Sequence, residues 1–212
     1  MNGTRKKALR QIVSETWVML LLSVALVLFV EFFNHRTLAK LLQFLQEHPW
    51  MFLFNVQIMF STFLFAEIWA RRGGVRLIVL LMWVALGIAN YMVASYRVLP
   101  FTSRDFFLIH DGLKMITVYF SLPEIIFMFG GIALLVAAIV ILLLKWRKRQ
   151  RFNRLAALTA FLLATAATLI VGKVLIETRF VDWDRTSLVA AFRNYGFPYS
   201  FTYTFADMGI PK

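Results

Sequence analysis

The chain has no cysteine. That excludes disulfides, thiol nucleophiles and thiolate metal sites. The common catalytic signatures are missing as well: there is no glycine loop to cradle a phosphate, no His-Glu-x-x-His zinc motif and no nucleophile elbow. The three histidines, His35, His48 and His110, stand on separate segments without metal-ligand spacing and read as ordinary interfacial residues. No internal repeat or low-complexity tract is present. What the chain has in excess is apolar surface. Hydrophobic residues make up 60% of the sequence and mean hydropathy is +0.72, against about 45–50% apolar in soluble domains.

The apolar residues are gathered into five runs bounded by charge, at 15–33, 50–69, 77–96, 126–144 and 155–175. A hydrocarbon core about 30 Å thick takes about 20 apolar helical residues, and each run is near that length. The expected fold is an all-α integral membrane protein with five transmembrane helices across residues 1–175. The first run is too long for a signal h-region, and Val30-Glu31-Phe32-Phe33 offers no small-residue cleavage site, so it reads as a retained anchor.

A net charge of +12 suggests nucleic acid at first, but its distribution argues against that. Arg5, Lys6, Lys7 and Arg10 precede the first run. Arg71, Arg72 and Arg76 separate the second from the third, and Lys145, Arg147, Lys148, Arg149, Arg151 and Arg154 separate the fourth from the fifth. Only Glu15 and Glu67 lie near these clusters. The positive-inside rule then puts the N-terminus in and the C-terminus out. The partners expected are the membrane and its anionic lipids, not nucleic acid.

Two amphipathic stretches fall between spans on the outer side. In Thr37–His48, Leu38, Leu41, Leu42 and Leu45 share one helical face, and Pro49 opens the next span. After Pro100, Phe106, Ile109, Leu113, Ile116 and Phe120 align, which predicts a second interfacial helix over 103–120. Gly73-Gly74 reads as the turn into the third span. Alanines and threonines in the last span suit close helix packing. Residues 176–212 change character: Phe192, Tyr195, Phe197, Tyr199, Phe201, Tyr203 and Phe205 make an aromatic, polar segment expected to act as an extracytoplasmic linker and interfacial platform.

The candidate functional residues are polar groups near the outer span ends: Glu31, Asn55, Gln57, Asn90, Arg97, Asp105, Lys114 and Lys173. Ionisable and amide groups at membrane depth are costly and mark function. Glu31, Asn55, Asn90, Arg97, Asp105 and Lys114 are expected to form a lipid-headgroup layer, with Arg97 or Lys114 on phosphate and Asn55 or Asn90 on hydroxyls. The alternative is that they snorkel to the interface or bond between helices.

Four patterns carry a family resemblance. They are Glu31…Arg36 with Phe44-Leu45, His48-Pro49 and Phe52-Leu53…Asn55; Gly87-Ile88-Ala89-Asn90; Leu99-Pro100-Phe101-Thr102…Asp105-Phe106-Phe107-Leu108 running to Tyr119-Phe120-Ser121; and Asn194-Tyr195-Gly196-Phe197-Pro198-Tyr199-Ser200-Phe201, with Gly209-Ile210-Pro211-Lys212 beyond it. In this order they resemble the N-terminal membrane domain of the lipoteichoic acid synthase family of sulfatase-like phosphoglycerol transferases. The resemblance implies a bacterial cytoplasmic-membrane protein of cell-envelope biogenesis that binds phosphatidylglycerol. It also implies an attached extracytoplasmic catalytic domain with a threonine nucleophile and a divalent metal, usually manganese. No nucleophile or metal position of that domain maps onto these 212 residues, so the chain by itself is expected to be inactive and cofactor-free. The membrane domain of a phosphoethanolamine transferase and a stand-alone accessory or lipid-flipping protein are the other readings.

Overall fold

The computed structural model describes residues 3–69, 72–97, 99–108, 121–123, 154–178 and 187–208, with the single positions 126, 130, 137 and 141. Within them lie the helices α1 (Gly3–His35), α2 (Leu38–Glu47), α3 (Pro49–Ala66), α4 (Arg72–Arg97), α5 (Arg154–Glu177), α6 (Leu188–Tyr195) and α7 (Phe197–Met208). The described residues include no strand. Four helices are long and apolar enough to cross a membrane: α1 from Val13, α3, α4 from Gly73 and α5 as far as Leu175. The architecture is that of a helical membrane protein. The expected span at 126–144 lies outside the described residues except for isolated positions, and so does 109–120 of the expected second interfacial helix, of which 105–108 are helical.

Local chemistry explains the joints. Arg36 takes a left-handed backbone (φ 66°) just past the end of α1, and its N–H donates to Phe32 O at 2.9 Å. This is the C-cap geometry usually given to glycine, and an L side chain there costs about 1–2 kcal/mol. Thr37 then caps α2 by accepting from Lys40 N at 3.4 Å. Pro49 fills the first position of α3, where its missing N–H costs nothing. At the far end α3 stops at Ala66, three residues short of the expected boundary. The chain tightens there through Glu67 N to Leu64 O and Trp69 N to Ala66 O. Arg76 reaches back to the Glu67 carboxylate, its Nε 2.8 Å from Oε1. This clasp turns the chain before Arg72, so Gly73 and Gly74 lie inside the first turn of α4 and not in a loop.

α3 is the middle helix. It packs on α1, α4 and α5, while α1 and α4 also pack on each other. Gly87 permits the α1–α4 approach, since a Cβ there would stand 3.2 Å from Val30 Cγ2. Lipid is as apolar as leucine, so packing and polar contacts hold such helices together. Trp83 Nε1 donates to Thr62 Oγ1 at 3.1 Å between α4 and α3. Ser61 and Thr168 hydroxyls meet at 3.1 Å between α3 and α5. Leu162, Leu163 and Ile170 of α5 are exposed, as lipid-facing side chains are.

Candidate functional site

α1 and α4 end, and α3 begins, at one end of the bundle, and there the buried polar side chains converge. Glu31, one turn before the end of α1, is fully buried. Its Oε1 accepts from Phe197 N at 2.7 Å and its Oε2 from Asn34 Nδ2 at 3.0 Å. Asn55, near the start of α3, is also fully buried. It accepts from Tyr199 N at 2.9 Å and donates to Tyr195 O at 2.9 Å. Asn34 Nδ2 donates in addition to Phe192 O at 2.8 Å, and its Oδ1 accepts from Asn90 Nδ2 of α4 at 3.2 Å. Asn90 Oδ1 accepts from Phe101 N at 2.9 Å.

The group being held is the start of α7. A helix leaves its first N–H groups without intrahelical partners. In α7 those donors are Phe197 N and Tyr199 N, since Pro198 between them has none. Glu31 from α1 and Asn55 from α3 satisfy both, so two other helices cap a third. The carboxylate also lies at the N-terminal, positive end of the α7 dipole. Gly196 makes the approach possible. Its φ of 82° suits glycine, and a Cβ there would collide with Asn55 Nδ2 and Glu31 Oε1.

A second set of bonds joins the segment after α4 to α7. Arg97 pairs with Asp105, Nη2 to Oδ2 at 2.7 Å, and Asp105 also accepts from Thr102 N at 2.6 Å. Ser103 N donates to Thr204 Oγ1 at 3.0 Å. Phe201 stacks on Phe101 and Phe197, with ring centroids 5.9 and 5.2 Å apart. Within the tail, Ser187 caps α6 and Ser200 Oγ donates to Ala191 O at 3.2 Å. The stretch expected to be a linker therefore holds two helices, and Gly196–Phe201 is buried against the spans.

Of the six expected headgroup residues, Glu31, Asn55 and Asn90 share this one network, and Arg97 and Asp105 form their own pair. Lys114 lies outside the described residues. Glu31, Asn55 and Asn90 direct these bonds to the chain's own groups, four of the partners being backbone atoms. Asn34 is the member that sequence reasoning missed, although its spacing from Glu31 by three residues put it on the same helical face. Gln57 donates to Thr168 Oγ1 at 3.5 Å, and Lys173 pairs with Glu177 at 3.5 Å on the surface. Burial, together with neighbouring Tyr203 and Tyr195, pushes the Tyr199 phenol above its ordinary value.

Beside the clasp, α3, α5 and α7 border an open groove of about 640 Å³, walled by Phe54, Ile58, Phe161, Leu169 and Tyr203, with Lys173 at its margin. That volume falls in the ~300–1,000 Å³ range of small-molecule sites. Among the described residues no group of three or more His, Asp or Glu is placed to hold a metal ion. No protein-family model, curated protein or solved structure matches the chain.

Proposed function

We propose that this chain is the membrane domain of a phosphoglycerol-transferase-like protein similar to the lipoteichoic acid synthases. It anchors an extracytoplasmic catalytic domain in the bacterial cytoplasmic membrane, N-terminus in and C-terminus out, and holds phosphatidylglycerol for it. One observation carries this reading. The four sequence patterns behind the resemblance, far apart in the chain, meet in a single network: Glu31 and Asn55 from the first, Asn90 from the second, Phe101 from the third, Tyr195, Phe197 and Tyr199 from the fourth. Spans that serve only as an anchor have no need to cap a tail helix with a buried carboxylate. A domain that must hold its C-terminal segment in register with a lipid site does.

The groove between α3, α5 and α7 supports the lipid side of the reading. Its apolar walls suit an acyl chain, and Lys173 in its lining pairs with Glu177. The basic clusters that flank α1, α3, α4 and α5 support the orientation. The test is the gene together with its lipid chemistry. The reading frame should continue past Lys212 into a hydrolase-like domain with a threonine nucleophile. The whole product should convert phosphatidylglycerol to diacylglycerol, and the 212-residue chain should turn over none. Turnover by the 212-residue chain, or a whole product that leaves phosphatidylglycerol untouched, would sink the proposal.

A further inference from the structure

We infer that a second site, at the corner of α1, α2 and α6, binds a phosphate ester anion, and that an anionic phospholipid headgroup supplies it. A cavity of about 210 Å³ opens there, lined by Arg36, Lys40 and Arg193 over a floor that includes Asn34, Pro100 and Phe192. Among the described residues no acid lines this cavity. In the recess next to it, which shares Lys40 and Arg193, Glu47 is the acid, and it accepts from Gln43 Nε2 at 2.8 Å. Glu31 lies buried behind the wall, bonded to Phe197 N and Asn34 Nδ2.

The contrast with other cations is what points to a ligand. Arg76, Arg97 and Lys173 each have a carboxylate partner, Glu67, Asp105 and Glu177. Among the described residues, Arg36, Lys40 and Arg193 have no ion-pair partner, yet they share one cavity. Three like charges gathered around a concave pocket repel one another unless an anion joins them. Arg36 also occupies a left-handed backbone position where glycine would be unstrained. Retained strain of this kind is what a functional side chain explains. Guanidinium groups match phosphate oxygens with paired N–H donors, and the ammonium of Lys40 adds a point charge.

The surroundings favour a lipid as the source. The cavity takes in Arg36 just past the end of α1 and Val189 of α6, which is exposed, and Leu38 and Leu42 of α2, the helix that carries Lys40, are exposed as well. The cavity has no lining residue in common with the α3–α5–α7 groove. The site depends on the reading of the chain as a lipid-binding membrane domain, not on the transferase assignment, and a binding measurement tests it without catalysis.

The experiment is native mass spectrometry of the 212-residue chain titrated with phosphatidylglycerol and, in parallel, with phosphatidylcholine. In the combined Arg36→Gly, Lys40→Gln and Arg193→Gln variant one phosphatidylglycerol should bind about a hundredfold more weakly, with phosphatidylglycerol in the α3–α5–α7 groove and phosphatidylcholine unchanged. Arg36→Gly alone should weaken it about fivefold without lowering the melting temperature, because glycine relieves the backbone; this separates a lost charge from a lost fold. An Arg179→Gln, Arg185→Gln and Lys212→Gln variant makes the same change in net charge elsewhere and should bind as the parent does. Inorganic phosphate and glycerol phosphate are the soluble arms. Failure of both to displace the lipid supports a headgroup as the source, and displacement at equal affinity assigns the site to a free phosphate ester. Parent-like binding by the combined variant, or an equal loss in the control, overturns the site.

Discussion

Gly196→Ala is the sharpest perturbation of the clasp. The position has a φ of 82°, where a side chain costs about 1–2 kcal/mol. The new Cβ would also stand 3.1 Å from Glu31 Cδ and closer still to Glu31 Oε1 and Asn55 Nδ2. Relieving that overlap means moving two buried side chains that cap α7, an overpacking penalty of about 1–3 kcal/mol. The combined cost is about 2–5 kcal/mol. It falls on docking of α6 and α7, because neither α1 nor α3 needs Gly196 to form. The absence of cysteine makes the assay clean. Ser200→Cys puts a single thiol at a fully buried position of α7, and its reaction with a soluble maleimide reports opening of the tail. When opening is fast, the labelling rate follows the open population. Even 2 kcal/mol then accelerates labelling about thirtyfold. Equal labelling rates with glycine and alanine at 196 would refute the argument that this backbone position holds the tail against the spans.

Asn55→Asp keeps an acceptor for Tyr199 N–H but sets an oxygen against Tyr195 O. A loss of about 1–3 kcal/mol is expected, and an unchanged thermal midpoint in detergent would contradict the donor and acceptor roles given to this amide. Gly87→Val should wedge α1 from α4 at Val30 and cost about 1–3 kcal/mol; a midpoint equal to the parent's would mean the two helices are not in the close contact described. The raised ionisation of Tyr199 gives an alkaline signature. Its unfolded phenol ionises near pH 10 and its folded phenol resists. The unfolded state therefore binds fewer protons, and this contribution to stability, fully present below about pH 10, is lost as pH rises further. Tyr199→Phe should flatten the alkaline arm of the stability curve, and an identical arm in parent and variant would count against burial of this phenol.

Much of the helical framework could be read directly. Long apolar runs located α1, α3, α4 and α5, and the leucine stripe with Thr37 and Pro49 located α2. Boundaries were less legible. α4 begins at Arg72, before the glycines, and the Arg76–Glu67 pair ties its first turns back to the end of α3. The polar residues Glu31, Asn55 and Asn90 stood out because amides and carboxylates are rare in apolar runs. Their partners did not stand out, because those partners are backbone groups, which carry no side-chain signature. The tail reads as a linker because it is aromatic and polar and is interrupted by Gly196 and Pro198, and helices as short as its two are marginal without tertiary contacts.

The sequence by itself determined that this chain belongs in a bilayer, because hydrophobic length is a local property and any helix of that composition needs lipid or protein around it. Only the tertiary structure decided what the polar residues do there. Glu31 meets the N–H of Phe197 across 166 positions of sequence, and Asn55 meets Tyr199 across 144. A hydrogen bond depends on position and angle to within a few tenths of an ångström, and no local pattern brings two such distant groups into register. The packing of α1 and α3 does so, with a glycine where α7 must come nearest.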